Sequence, residues 1–201
     1  MKVIAFNGSP RKEGNTYYAM SLVGEELLRE GIGFEVVQVG DQCVRGCMAC
    51  KRCIVNQNER CVICSDDVND WIQRMKRADG VLLGSPTYYG GVAGPMKCFL
   101  DRAFYVIGAN QSLTLLMWYK VWAAVAAMGR AGGVAVYDNL SRYFSGYKWV
   151  CPMPTGFPVI FGDEPGDAKK DARGIQVMRI LGKSMACLLK EVSAAVEGRP
   201  G

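Results

Sequence analysis

Residues 80–85, Gly-Val-Leu-Leu-Gly-Ser, form a run with no polar face, and a proline follows at once. A strand with one face in water would alternate polar and apolar residues, so an unbroken run points to a parallel strand covered on both sides. Residues 2–6 and 120–128 repeat the pattern, and residues 34–39 form a further β-like run. Between these runs the apolar period changes to that of a helix. Met20, Val23, Leu27 and Leu28 follow Asn15 and stop at Gly31; Val68, Trp71, Ile72 and Met75 follow Asp67, a natural N-cap. Helices are also expected from the end of a loop at 86–94 to about Ile107, over 134–145, and in a last segment that aligns Ile175, Met178, Met185, Leu189 and Val192. Residues 149–151 are expected to give a short fifth strand, and the Pro/Gly-rich 152–166 a surface loop. Alternating strands and helices imply an α/β, doubly wound parallel sheet. With no internal repeat or linker, residues 1–201 are expected to form one domain carrying a cysteine-rich loop insertion at about 43–66. Such sheets bind ligands beyond the carboxyl ends of their strands.

The chain contains no histidine, which excludes Ser-His-Asp chemistry, His-ligated metals and His general bases. No residue stands out as a catalytic acid or base. A net charge of +5, spread along the chain, suits small anions and does not read as a nucleic-acid footprint. The first apolar run is too short for a signal peptide, and residues 121–128, the longest, are too short for a membrane span. A cytoplasmic location, with reduced thiols and no membrane association, is the expectation.

Two loops at strand ends have ligand chemistry. Residues 7–16, Asn-Gly-Ser-Pro-Arg-Lys-Glu-Gly-Asn-Thr, join the first strand to the first helix. A phosphate there would meet free backbone N–H groups at a helix N-terminus, the hydroxyls of Ser9 and Thr16, the Asn15 amide and the Arg11 cation. The loop is neither a Walker loop nor G-x-G-x-x-G, which argues against ATP or GTP hydrolysis and against a Rossmann dinucleotide site. The plain alternative is a βα turn shaped by Pro and Gly. In the second loop, Pro86, Thr87, Tyr88, Tyr89, Gly90 and Gly91 make an aromatic turn suited to packing on a planar ring, or an ordinary surface loop with two tyrosines.

Residues 44–64 hold five of the nine cysteines. An odd total in a reducing compartment argues against a closed disulfide framework. Cys47, Cys50 and Cys53 form C-x2-C-x2-C, and Cys61 would complete the four thiolates of a [4Fe–4S] cluster. Alternatively, Cys47 and Cys50 pair with Cys61 and Cys64 as two zinc knuckles, which leaves Cys53 without a role. A third reading has redox-active or idle thiols and no metal. Lys51 and Arg52 within the motif would favour thiolates, or are solvated loop charges. Cys98, Cys151 and Cys187 lie in expected elements and read as buried small apolar residues, while Cys43 fits either group.

Residues 8–16, residues 78–102 and Gly-Arg-Ala-Gly-Gly at 129–133 together resemble the flavodoxin-like NADPH-dependent FMN reductases and, more closely, the iron–sulfur flavoproteins. The resemblance implies a five-stranded sheet of order 2-1-3-4-5 and an FMN whose phosphate meets Ser9, Arg11, Asn15 and Thr16. Residues Pro86, Thr87, Tyr88, Tyr89, Gly90 and Gly91 would line the ribityl chain and ring, with Arg130 and Gly132 nearby. A similar cysteine run in those proteins carries the cluster, here on Cys47, Cys50, Cys53 and Cys61, with Cys64 an addition to the pattern. The function implied is an FMN-dependent oxidoreductase in which the cluster relays electrons to or from the flavin. The alternatives are a cluster-free NAD(P)H-dependent FMN or quinone reductase, or a cysteine-based redox or zinc sensor. A homodimer or homotetramer is expected, for which Tyr17, Tyr18, Tyr105 and Trp118 are candidate contact residues. Its electron partner would be a small ferredoxin-like carrier, NAD(P)H or a quinone.

Overall fold

The computed structural model describes residues 1–145 and 150–197. Five parallel strands, β1 (Lys2–Asn7), β2 (Gly33–Gln38), β3 (Gly80–Tyr88), β5 (Val121–Met128) and β6 (Val159–Phe161), form a sheet of order β2-β1-β3-β5-β6. By position this is the expected 2-1-3-4-5 sheet. A two-residue strand, β4 (Gly91–Val92), folds back antiparallel on the end of β3, pairing Thr87 with Val92 and Tyr88 with Gly91.

The unbroken apolar runs are explained by helices on both faces. In β1, Val3 and Ala5 point toward α1 (Asn15–Arg29) and α7 (Ala172–Glu197), while Ile4 and Phe6 point to the opposite layer. That second layer holds α3 (Val68–Arg77), α4 (Gly94–Ala109), α5 (Gln111–Met117) and α6 (Gly133–Ser141). β5 divides likewise, with Trp122, Ala124 and Ala126 on one side and Val121, Ala123, Val125 and Ala127 on the other. Both sets are needed because successive side chains in a strand face opposite ways.

The fifth strand is not where local pattern put it. Trp149 lies outside the described residues, and Val150 makes only an isolated parallel bridge to Val121. The edge strand is Val159–Phe161, inside the segment expected to be loop, and it pairs with residues 126–128 of β5. Residues 86–88, expected to be loop, extend β3. The short helices α2 (Arg52–Asn56) and α5, and a 3-10 turn at Asp167–Lys170, had no counterpart in the sequence reading.

Two buried or half-buried contacts shape the strand ends. Ser85, fully buried, accepts from the Ala93 N–H at 3.0 Å and donates to the Pro86 carbonyl at 2.8 Å, which ties the β3–β4 hairpin to the start of α4. Pro95 in the first turn of α4 has no N–H to leave unsatisfied and a φ suited to helix entry. Among the described residues no helix is long and apolar enough to cross a membrane.

Candidate functional site

The loop after β1 is held by side chains below it. Asn7, buried at the end of β1, accepts from the Ser9 N–H at 3.1 Å and donates to Gln38 Oε1 at 2.8 Å and the Lys12 carbonyl. Gln38 in turn donates to the Ser9 carbonyl at 2.6 Å, and Ser9 Oγ accepts from the Arg11 N–H at 3.2 Å. Underneath, the Gly8 N–H bonds the Gly84 carbonyl at 2.7 Å, and a Cβ on Gly8 would sit 2.9 Å from Met96 Cβ. The loop is therefore held in shape by the chain's own groups. Sequence reasoning missed Asn7 and Gln38, although a polar residue ending an apolar strand was a usable signal.

Ser9, Arg11, Asn15, Thr16, Pro86, Thr87 and Tyr88, expected to act together, do line one cleft of about 500 Å³, its mouth included. Met128, Gly129, Gly162 and Asp163 close the other side. The N-terminus of α1 opens into this cleft with no side-chain cap, so its first N–H groups are available to an anion. Thr87 Oγ1 is buried and has no hydrogen-bond partner among the described residues. An uncapped helix end beside two hydroxyls, a cation and an orphaned hydroxyl is a donor set that fits a phosphorylated, hydroxyl-bearing ligand such as FMN. A larger groove along α1 and β2, lined by Tyr17, Leu28 and Phe34, lacks those convergent donors.

Asn15 takes a different place from the one expected. Its amide donates to the carbonyls of Gly162 and Glu164, both at 2.9 Å, and its carbonyl accepts from the N–H groups of Gly166 (3.0 Å) and Ala168 (3.3 Å). The side chain is saturated within the fold, stitching α1 to the loop after β6. What it leaves for an anion is its backbone N–H. Gly162 is required at this joint, because a Cβ there would stand 2.6 Å from Asn15 Nδ2 and from the Ala168 nitrogen.

Tyr89, Gly90 and Gly91 continue from the cleft as an exposed hairpin tip. Tyr89 is fully exposed in the left-handed region (φ 50°), and Gly90 follows at φ 72°. A bulky residue in that conformation costs about 1–2 kcal/mol, a strain typical of ligand-binding turns. Gly132 (φ 89°) packs under this tip, where a Cβ would approach Gly90 Cα at 3.0 Å and Thr87 Cγ2 at 3.1 Å. Arg130 is exposed and does not line the cleft.

The cysteine segment follows β2 and packs on α4. Ala49 (φ 51°) and Lys51 (φ 57°) both adopt left-handed conformations, which curl C-x2-C-x2-C into a tight turn. The Ala49 N–H points at Cys47 Sγ, 3.4 Å away. Cys47, Cys50, Cys53 and Cys61 all line one hollow of about 330 Å³, mouth included, together with Met48, Val62, Arg102 and Tyr105. Burial raises the Cys53 thiol above its ordinary value; the backbone N–H groups of Cys53 and Ile54 oppose this, and the nearby Cys61 and Cys47 add to it. Among the described residues no three of His, Cys, Asp or Glu converge on a single point. Four thiols lining one hollow are a donor set that fits a [4Fe–4S] cluster, in which each sulfur binds a different iron.

Asn69, buried in α3, holds the second half of the segment. It accepts from the Cys61 N–H at 2.7 Å and donates to the carbonyls of Cys61 and Ile63 at 2.9 and 3.2 Å. Cys64, exposed, lies outside the hollow's lining. Cys98 and Cys151 are half-buried and Cys187 is exposed, so none of the three is the buried core residue expected. Cys187 sits on the outer face of α7, where its neighbours Ala186 and Leu189 take the buried side. Tyr17 and Tyr105 are exposed, while Tyr18 and Trp118 are half-buried. Along α4, Met96 lies beneath the first loop and Arg102 beside the thiol hollow; six residues of helix rise about 9 Å. One helix thus touches both sites.

Comparison with known proteins shows the family and the fold. The model of the NADPH-dependent FMN reductase family matches residues 1–161. An iron–sulfur flavoprotein of Methanocaldococcus jannaschii is 32% identical over 197 residues, covering 94% of this chain and 98% of that protein. Among solved structures, RosB bound to 8-demethyl-8-formylriboflavin-5'-phosphate superposes with a TM-score of 0.74 at 15% identity, over 96% of this chain and 81% of its own. A flavodoxin from the domain Archaea gives 0.61 at 17% identity, over 94% and 99%. At such identities the structures establish a flavodoxin-like fold, and the sequence matches establish kinship.

Proposed function

The chain belongs to the NADPH-dependent FMN reductase family of flavin-dependent oxidoreductases, and we propose that it binds FMN in the cleft and a [4Fe–4S] cluster in the thiol hollow, relaying electrons between them. The observation that carries this reading is the gathering of Cys47, Cys50, Cys53 and Cys61 around one hollow, lined by Arg102 six residues along α4 from Met96, which lies beneath the first loop.

When bound, the flavin supplies two-electron and one-electron chemistry and the cluster one electron at a time, so the pair connects donors and acceptors of both kinds. The chain's own groups bind and orient. The α1 N-terminus, Ser9, Thr16 and Arg11 hold the phosphate, and Asn7 and Gln38 keep that loop in shape beforehand. Asn15 fixes the opposite wall of the cleft. Thr87 and Tyr88 flank the ring, with the Tyr89–Gly91 tip buttressed by Gly132. Met48, Val62 and Tyr105, themselves exposed, give the hollow an apolar rim. No side chain is assigned as a proton donor or acceptor.

A second copy of the chain and a small electron carrier, a nicotinamide nucleotide or a quinone are the partners in this reading. The exposed Tyr17, Tyr88, Tyr89 and Tyr105 offer contact surface for them.

Replacing single cysteines tests the cluster. Cys53→Ser should abolish iron and sulfide binding, while Cys64→Ser should retain both. A zinc knuckle pair would give the reverse, with metal lost from Cys64→Ser and kept by Cys53→Ser. Flavin without metal in every variant and in the parent would leave a cluster-free reductase.

A further inference from the structure

Besides Lys51 of the motif, the hollow is lined by a second cation that the motif does not contain, Arg102. Arg102 of α4 is wholly buried, at 0% side-chain exposure, and is paired with Asp66, itself only 7% exposed. Burying a guanidinium costs several kcal/mol unless its N–H groups and its charge are met. Here they are met almost entirely by the cysteine segment. Nη1 donates to the Arg45 carbonyl at 3.2 Å and to Asp66 Oδ2, and Nη2 donates to the Ile63 carbonyl at 2.9 Å. Arg45 stands two residues before Cys47, and Ile63 two residues after Cys61. One side chain therefore docks both ends of the segment onto the helix. Its Nε remains buried without a hydrogen-bond partner among the described residues, while the residue lines the hollow beside Cys61.

We propose that Arg102, balanced by Asp66, is the positioning residue of the thiol hollow and sets the reduction potential of the cluster held there. The proposal rests on the cluster reading above. Four thiolates make a cubane a net anion, and taking up an electron adds one more negative charge. A fixed cation at the wall favours that uptake and a fixed anion opposes it, net charge and hydrogen bonds to sulfur being the main protein controls on such potentials. Arg102 lines the hollow and Asp66, outside that lining, is paired with it, so their charges oppose each other and removing either one shifts the potential, in opposite directions.

The experiment uses anaerobically purified full chain and two readouts, iron and sulfide per chain and the cluster midpoint by redox titration. Arg102→Gln, which leaves Asp66 unopposed, should move the midpoint to a more negative value. Asp66→Asn, which leaves Arg102 unopposed, should move it to a more positive one. The double variant should fall between them, and Arg102→Lys should recover most of the parent's midpoint. A merely structural role predicts cluster loss without this opposition of sign, so shifts of one sign, or none, overturn the proposal. Should Arg102→Gln fail to assemble a cluster, Asp66→Asn and Arg102→Lys decide: a midpoint unmoved by Asp66→Asn overturns it. A parent protein without iron brings down the cluster reading and this proposal together. A parent with a cluster whose potential ignores both residues brings down this proposal alone.

Discussion

Replacing Asn15 with alanine should destabilise the flavin-free protein by about 3–5 kcal/mol. The figure follows from the partners. Four hydrogen bonds are lost, each with a net worth of roughly 0.5–1.5 kcal/mol. Three join half-buried groups that water can reach again after truncation. The fourth leaves the buried Ala168 N–H without an acceptor, at a cost of about 1–3 kcal/mol. Against a total stability on the order of 5–15 kcal/mol this is a large fraction. The assay is urea unfolding followed by far-UV circular dichroism, on protein stripped of flavin so that ligand binding adds nothing to stability. With a slope near 2–3 kcal/mol per molar, the midpoint should fall by about 1–2.5 M. A loss below about 1 kcal/mol would refute the assignment of Asn15 as a structural joint, and with it the account of how the cleft's far wall is fixed.

Arg11→Ala should leave the urea midpoint unchanged, because the side chain is exposed, but weaken FMN binding by about 10- to 100-fold, the loss expected for one charge-assisted hydrogen bond. Riboflavin, which lacks the phosphate, should bind parent and variant alike in the same fluorescence titration. Glu26, buried in α1, receives hydrogen bonds from Arg179 of α7 and from Arg29, which, against the opposing effect of burial, hold its carboxyl below the ordinary 4.5. A lowered folded value means stability that is present above pH 4.5 and lost as pH falls through that folded value. Glu26→Gln should therefore destabilise most at neutral pH, and the gap from the parent in urea melts should close in acid.

The central sheet was readable because β1, β3 and β5 are buried on both faces, and that condition writes itself into sequence as uninterrupted apolar runs. β6 has no such signature. It is three residues long at the sheet's edge, set in a segment dense with proline and glycine, and its pairing with Ala126–Met128 is a tertiary fact. Local pattern favoured the neighbourhood of Val150 instead, which reaches the sheet only as a single bridge. In the site, the loops themselves were legible, since helix entry, hydroxyls and glycines cluster within a few residues. Partners across the chain were not. Asn15 looked like a phosphate ligand because its four partners lie about 150 residues away, in a loop with no helical or strand pattern. Arg102 carried no local signal, and only the docking of Arg45, Ile63 and Asp66 on it shows a buried cation. The thiols were visible from spacing alone, yet their common hollow depends on left-handed turns at Ala49 and Lys51 that no propensity scale favours.

Iron, acid-labile sulfide, zinc and FMN measured on one anaerobically purified sample of the full chain decide whether it carries both groups. A chain that relays electrons between cluster and flavin should hold about four irons and four sulfides with one FMN. FMN without iron, or zinc in place of iron and sulfide, would contradict that reading.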